Sequence, residues 1–274
     1  MVEGMIGVAV VDEQEAANWL ITFLVNDIGW VVAQDVTDVP TERDVVFQSN
    51  GEDGAPNPYP RYIRLRGVSN GLYLYTYETF TSVLDNTGEV SGYVTLEPDA
   101  QGLHMLVVAD LERVIIHIQT YDSVKYMGYV GRIYSYYTVE QHKYPNLVKG
   151  CAASTNGWFE NQAWAIGPTG VQQAYLAIEP ASEGVLNIGV IGVRNGLVTL
   201  AAPILAHDGI PGESELIGEP MGLFSLPGTF GHGQIISIFG RLYLTVSCDG
   251  RAFAVGPITA LGVTTPPSLY TNLF

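Results

Sequence analysis

The stretch RYIRLRGVSNGLYLYTYETF (61–80) decides the fold. Tyr62–Arg66 and Leu72–Tyr77 are rich in β-branched, aromatic and aliphatic residues and alternate in character, as half-buried strands do. Between them Asn70-Gly71 tolerates the positive φ that a tight hairpin turn demands. Successive side chains of a strand point to opposite faces. Arg64 and Arg66 therefore share one face of the first strand, and Tyr73, Tyr75 and Tyr77 share one face of the second, opposite Leu72, Leu74 and Thr76.

The same grammar repeats outward from this hairpin. Strands are expected at Trp30–Gln34, Val45–Gln48, Met105–Ala109, Arg113–Gln119, Tyr126–Tyr137, Ala174–Ile178, Leu186–Ile191, Val198–Leu205, Ile235–Ile238, Leu242–Val246 and Ala252–Val255. Turn pairs punctuate them at Asn50-Gly51, Asp53-Gly54, Asn156-Gly157, Asn195-Gly196, Asp208-Gly209 and Asp249-Gly250. With 31 glycines and 15 prolines, this density of turns predicts a mainly β fold of antiparallel sandwich or barrel-like sheets. Two stretches read as long loops, 49–60 and 206–221.

GVSNGL (67–72) is echoed by GVRNGL (192–197), and VVADLERVIIHI (107–118) by TVSCDGRAFAVG (245–256), both of the latter hairpin-like around an Asp and an Arg. The offsets differ, so either two related β modules divide near 138–170 or similar hairpins recur by chance. The expected organisation is an N-terminal helix with a connecting strand (1–43), a β-rich body (44–257) and a C-terminal tail (258–274).

The one helix expected is DEQEAANWLITFLVNDI (12–28). Asp12 can cap it, Glu13 and Glu15 suit its positive end, and Gly29 stops it. Ala16, Leu20, Phe23, Leu24 and Ile28 form its apolar stripe, with Trp19 alongside. The plain role of this stripe is to pack on the first strands. The sharper one is a docking helix presenting Trp19, Leu20, Phe23 and Leu24 to another subunit.

Charged residues make up only 15% of the chain against 47% hydrophobic, where a free-standing domain carries about a quarter charged. A surface so poor in charge suits a protein covered by neighbours. The formal charge is −16. That field repels phosphate, and the only local basic group is Arg61, Arg64 and Arg66, whose plain reading is a solvated or ion-paired strand face. Direct nucleic-acid binding is not expected. No run of about 18 apolar residues marks a membrane span. MVEGMIGVAVVDEQE (1–15) places an acidic residue where a secretion signal needs basic ones. Cys151 and Cys248 read as two separate buried thiols or as a pair.

Catalytic motifs are absent from the sequence: it has no GxSxG, no GxxxxGK[ST] and no HExxH. His104, His117, His142, His207 and His232 lack metal-ligand spacing, and His117 sits in an apolar strand as a core residue would. His142 with Cys151 lacks the flanking motif of a nucleophile pair. Glu97 with Asp99, or Glu213 with Glu215, fit the spacing of a glycosidase pair and equally a solvated loop. No cofactor and no metal is expected. The sixteen tyrosines concentrate in 72–80 and 126–137. They read as cross-strand ladders or as contact surface, because a tyrosine joins an apolar ring to a polar tip. The candidate contact or stacking residues are Tyr73, Tyr75, Tyr77, Tyr134, Tyr136, Tyr137, Trp158 and Trp164.

The chain resembles a family of tailed-bacteriophage virion structural proteins. The resemblance rests on HMLVVADLERVIIHIQT (104–120) and then YMGYVGRIYSYYTVEQHKYPNLVKGCAAS (126–154), an aromatic strand leading through a Tyr-Pro loop into a small-residue strand. QQAYLAIEP (172–180) and GEPMGLFSLPGTFGHGQIISIFGRLYLTVSCDGRAFAVGP (218–257) follow in the same order. It covers roughly 45–257 and rests on pattern and order, with no invariant motif. It implies a non-enzymatic component of the tail, neck or baseplate, made in the host cytoplasm, whose partners are copies of itself and other virion proteins. It carries no catalytic residue over. Two other readings stay open: a receptor- or carbohydrate-binding module using Trp158 and Trp164 as stacking platforms against host surface glycan, and a carboxylate-dependent glycoside hydrolase.

Overall fold

The computed structural model describes residues 4–10, 13–37, 42–51, 61–68, 71–77, 80, 82, 90–94, 103–120, 125–135, 147–153, 163–167, 170–177, 190–194, 197–203, 205–208, 215–226, 234–238, 240–248 and 251–258. The chain begins with β1 (Gly4–Val10) and α1 (Glu13–Thr22), which widens into a π-helical turn over Phe23–Ile28. A five-stranded antiparallel sheet follows in chain order: β2 (Val31–Asp35), β3 (Arg43–Ser49), β4 (Arg61–Val68), β5 (Gly71–Tyr77) and β6 (Val90–Val94). Next come β7 (Leu103–Ala109), β8 (Arg113–Thr120), β9 (Lys125–Ser135), β10 (Leu147–Ala153), β11 (Ala163–Gly167) and β12 (Gly170–Ala177). The last elements are β13 (Val190–Arg194), β14 (Leu197–Pro203), β15 (Leu205–Asp208), β16 (Glu215–Pro220), β17 (Leu223–Leu226), β18 (Ile235–Ile238), β19 (Arg241–Cys248) and β20 (Arg251–Ile258).

The mainly β expectation holds, with the helix near the N-terminus. A nine-stranded sheet runs β1-β7-β8-β9-β10-β11-β12-β15-β16. Strand β9 is long enough to serve two neighbours on one side. Its first part pairs β8, while Ile133–Ser135 pair β16, so β9, β10, β11, β12, β15 and β16 form a ring. A second ring runs β13-β14-β17-β20-β19-β18 and returns to β13 through Gly192↔Ile238 and Val193↔Ser237. The rings exchange hairpins: β13–β14 belongs to the second, β15–β16 reverts to the first. The 138–170 stretch holds β10 and all of β11, both in the nine-stranded sheet.

The helix runs to Ile28 as expected, but its last six residues are π-helical. Gly29, in the left-handed region at φ 96, donates its N–H to the Leu24 carbonyl, a five-residue step that marks the widened turn. The widening carries Ile28 and Trp30 into the core beside Phe23 and Leu24. Asp12 lies outside the described residues. Ala16, Ala17, Leu20, Phe23, Leu24, Val45, Phe47, Ile63 and Leu65 share one apolar cluster with Met105, Val107, Val114 and Ile116 of the nine-stranded sheet. The five-stranded sheet and the β7–β9 region thus stack as a sandwich. The opposite faces of β7 and β8 are buried too (Leu106, Val108, Ile115, His117), where β19 and β20 lie against β9 and β7. A strand covered on both faces reads as a continuous apolar run, which is why MLVVA and VIIHI barely alternate.

Several boundaries differ from the sequence reading. Val68 pairs Gly71, so in the first hairpin Gly71 opens β5 and does not belong to the turn. This register sets Leu65 against Leu74, and Arg64 against Tyr75. Its echo turns one position later, since Arg194 pairs Leu197 around Asn195-Gly196. Both hairpins of the second echo form, Ala109↔Val114 and Cys248↔Arg251, the first in the nine-stranded sheet and the second in the second ring. The loop expected at 206–221 contains β15 and β16, whose His207↔Leu216 pairing is interrupted by a bulge beside Ala206; turn-forming Gly and Pro had hidden these strands. β1, β6, β11 and β17 were not anticipated, and AWAIG carries the small residues of low strand propensity; the small-residue strand expected at the end of 126–154 is β10, LVKGCAA. Of Leu186–Ile191, only Val190 and Ile191 fall among the described residues; 52–60 and the 259–274 tail lie outside them.

Candidate functional site

The outer face of the five-stranded sheet gathers the most chemistry. Cross-strand register places Asp44 opposite Arg66, Val46 opposite Arg64, Arg64 opposite Tyr75, Arg66 opposite Tyr73, and Tyr62 opposite Tyr77. The alternate residues Val45, Phe47, Ile63 and Leu65 face inward, against the cluster that includes α1. Alternation forces this division, because a one-residue slip would send every tyrosine into the core.

Asp44 organises the face. Its Oδ1 and Oδ2 accept from Arg64 Nε and Nη2, both at 2.6 Å, a bidentate pair with side chains only 12% and 13% exposed. Arg64 Nη1 donates to the Tyr77 hydroxyl at 3.3 Å, and the guanidinium carbon lies 5.2 Å from the Tyr75 ring centroid. Hydrogen bonding to Asp44 outweighs burial and holds the Arg64 proton more tightly than usual. Arg66 reaches Glu42 at 3.4 Å and Asp44 at 3.7 Å. Arg64 and Arg66 thus form the ion-paired face that the sequence favoured.

Tyr73 and Tyr75 stack at 6.4 Å with a 19° interplanar angle, both half-buried. Tyr77 is different. It is fully buried, with Phe80 tilted against it at 5.4 Å, so this candidate contact residue is spent on internal packing. Leu20, Phe23 and Leu24 are likewise buried within the chain's own core. They correct the docking-helix expectation: each gives about 1.5–3 kcal/mol of burial to this fold. Trp19 keeps 37% of its surface exposed. Tyr134 is exposed on β9, opposite Glu219, away from Tyr73 and Tyr75. Trp164 sits on β11 opposite Lys149 and Gln173. Tyr136, Tyr137 and Trp158 lie outside the described residues. Among the described candidates, Tyr73 and Tyr75 stack on one another.

A buried polar junction escaped the sequence reading. Asp110 Oδ1 accepts from the Glu112 and Arg113 N–H groups at 2.7 and 3.0 Å, closing the β7–β8 turn. Arg113 Nε lies 3.1 Å from Asp110 Oδ2, and its Nη1 donates to the Met221 carbonyl. The Met221 N–H donates to the Tyr129 hydroxyl at 2.9 Å. On the other side Trp30 Nε1 donates to the Asp110 carbonyl at 2.9 Å, and the Ser49 hydroxyl to the Leu111 carbonyl at 2.6 Å. Burial raises the Tyr129 pKa, keeping the phenol neutral. The available signal was the Asp-Leu-Glu-Arg tetrad dividing two apolar runs, since charges there must be paired internally.

His117 is buried, as its apolar strand implied. His142, His232, Glu97, Asp99 and Glu213 lie outside the described residues, and Cys151 and Cys248 occupy β10 and β19. Among the described residues no group of three His, Cys, Asp or Glu could hold a metal ion. No helix among them is long and apolar enough to cross a membrane. No protein-family model and no curated protein matches the chain.

Proposed function

We propose that the chain is a non-enzymatic structural component of a tailed-bacteriophage particle, in its tail, neck or baseplate, that meets copies of itself and other particle proteins through the Tyr73–Tyr75 face. The observation that carries this reading is the combination on one sheet face of two stacked, half-buried tyrosines with arginines already neutralised by Asp44 and Glu42. A partner covering such a face desolvates aromatic rings without stranding an unpaired charge, which favours stable association. The pattern resemblance over 45–257 and the low charge density support the same reading.

Self-association of the purified chain tests it. Sedimentation should show oligomers that the Tyr73→Ser/Tyr75→Ser double variant loses by about tenfold or more in dissociation constant, since aromatic anchors carry interface energy. A chain that stays monomeric to millimolar concentration, or a variant that associates unchanged, would remove this face from the account.

A further inference from the structure

We infer that the buried turn Asp110–Arg113 is a mechanical coupler, through which displacement of the five-stranded sheet is felt by the second ring. No covalent step joins these layers locally. The residue that leads into β2 meets the turn through Trp30 Nε1 to the Asp110 carbonyl, and the end of β3 through Ser49 Oγ to the Leu111 carbonyl. The β16–β17 connection meets it through Arg113 to the Met221 carbonyl. From Met221 the chain passes at once to Gly222, whose carbonyl accepts from the Gly256 N–H of β20 at 3.0 Å. Four consecutive residues thus stand between two layers that contribute no strand to each other's sheets.

The coupler has no slack. Arg113 and Asp110 are each buried, and the aspartate simultaneously fixes two turn amides and the guanidinium. A Cβ on Gly131 would collide with Arg113 on one side, and a Cβ on Gly222 would collide with the Arg113 guanidinium and the Gly256 carbonyl on the other. A fully engaged buried polar network is rigid, and close packing passes its displacement on to the elements it holds. The coupling is shared opening of the two layers, which coupling data measure directly.

Hydrogen–deuterium exchange of the full chain supplies them. Trp30→Phe removes one donor to the turn, and Tyr129→Phe removes the acceptor of the Met221 N–H; each bond is worth about fivefold in local opening. Trp30→Phe should raise exchange about fivefold not only in 31–35 and 43–49 but also in 223–226 and 251–258. Tyr129→Phe should do the converse. Ile63→Val, which thins the same core cluster without touching the turn, should leave 223–226 and 251–258 at the wild-type rate. If Trp30→Phe changes only its own sheet, or if Ile63→Val spreads as far, the coupler is refuted. Should Trp30→Phe fail to fold, the Tyr129→Phe and Ile63→Val comparison decides alone.

Discussion

Replacing Asp44 by alanine strips both carboxylate oxygens from Arg64 and leaves a guanidinium whose side chain is 13% exposed. Removing one member of a fully buried pair costs about 3–5 kcal/mol because the survivor is stranded in low dielectric. Arg64 keeps the Tyr77 hydroxyl and the Tyr75 ring, and it retains some contact with water. Those remnants reduce the expected loss to about 2–3 kcal/mol. Arg64→Met should cost less, about 1–2 kcal/mol, because Asp44 still has Arg66 at 3.7 Å. The Asp44→Ala/Arg64→Met double variant should then be more stable than the sum of the singles by about 1.5 kcal/mol, since no charge is left unpaired by its partner. Urea unfolding at constant m-value measures all three. The loss should change little between low and moderate salt, because a pair this sheltered is poorly screened. A single-variant loss below about 0.5 kcal/mol, together with strict additivity, would refute the assignment of Asp44 as the organiser of this face.

Further perturbations follow from the junction and the sheet edge. Gly222, at φ 67 and pressed between Gly256 and Arg113, should not tolerate alanine: a loss above about 3 kcal/mol or insoluble protein is expected, read from thermal unfolding and soluble yield. Burial holds the Tyr129 pKa above its ordinary 10.0, so its contribution is intact below that pH and is lost as pH rises beyond it. Between pH 10 and 12 the unfolding midpoint should therefore fall less steeply in Tyr129→Phe than in wild type. Slight burial tends to raise the Asp35 pKa, but hydrogen bonds from Thr37 and the charge of Arg43 outweigh it and leave a net lowering. Its small contribution is present at neutral pH and disappears as pH falls through the carboxylate range. Asp35→Asn should flatten that part of the acid-unfolding curve.

The fold was legible where a strand had one wet face and one dry one. RYIRLR alternates because α1 and the β7–β8 region bury Ile63 and Leu65 while Arg64 and Arg66 share the other face with Asp44, Tyr73 and Tyr75. AWAIG was not legible, since Ala and Gly mark neither face and only pairing to its neighbours makes it a strand. The bulge and turn residues between β15 and β16 disguised a hairpin as a loop. At the candidate face, periodicity placed Tyr73, Tyr75, Arg64 and Arg66 together. It missed Asp44, because a lone acidic residue one strand and 20 residues earlier shows no spacing to its arginine. It left Tyr77 and the helix stripe open between internal packing and contact surface, because burial of an amphipathic element depends on what the rest of the chain lays over it.

Quantitative mass spectrometry of purified phage particles decides whether the chain is a particle component as proposed. The chain is expected in washed particles at a fixed copy number per particle, with Tyr73 and Tyr75 protected from surface oxidation that labels them in the free protein. Its absence from particles, at the sensitivity that detects their minor proteins, would contradict the account.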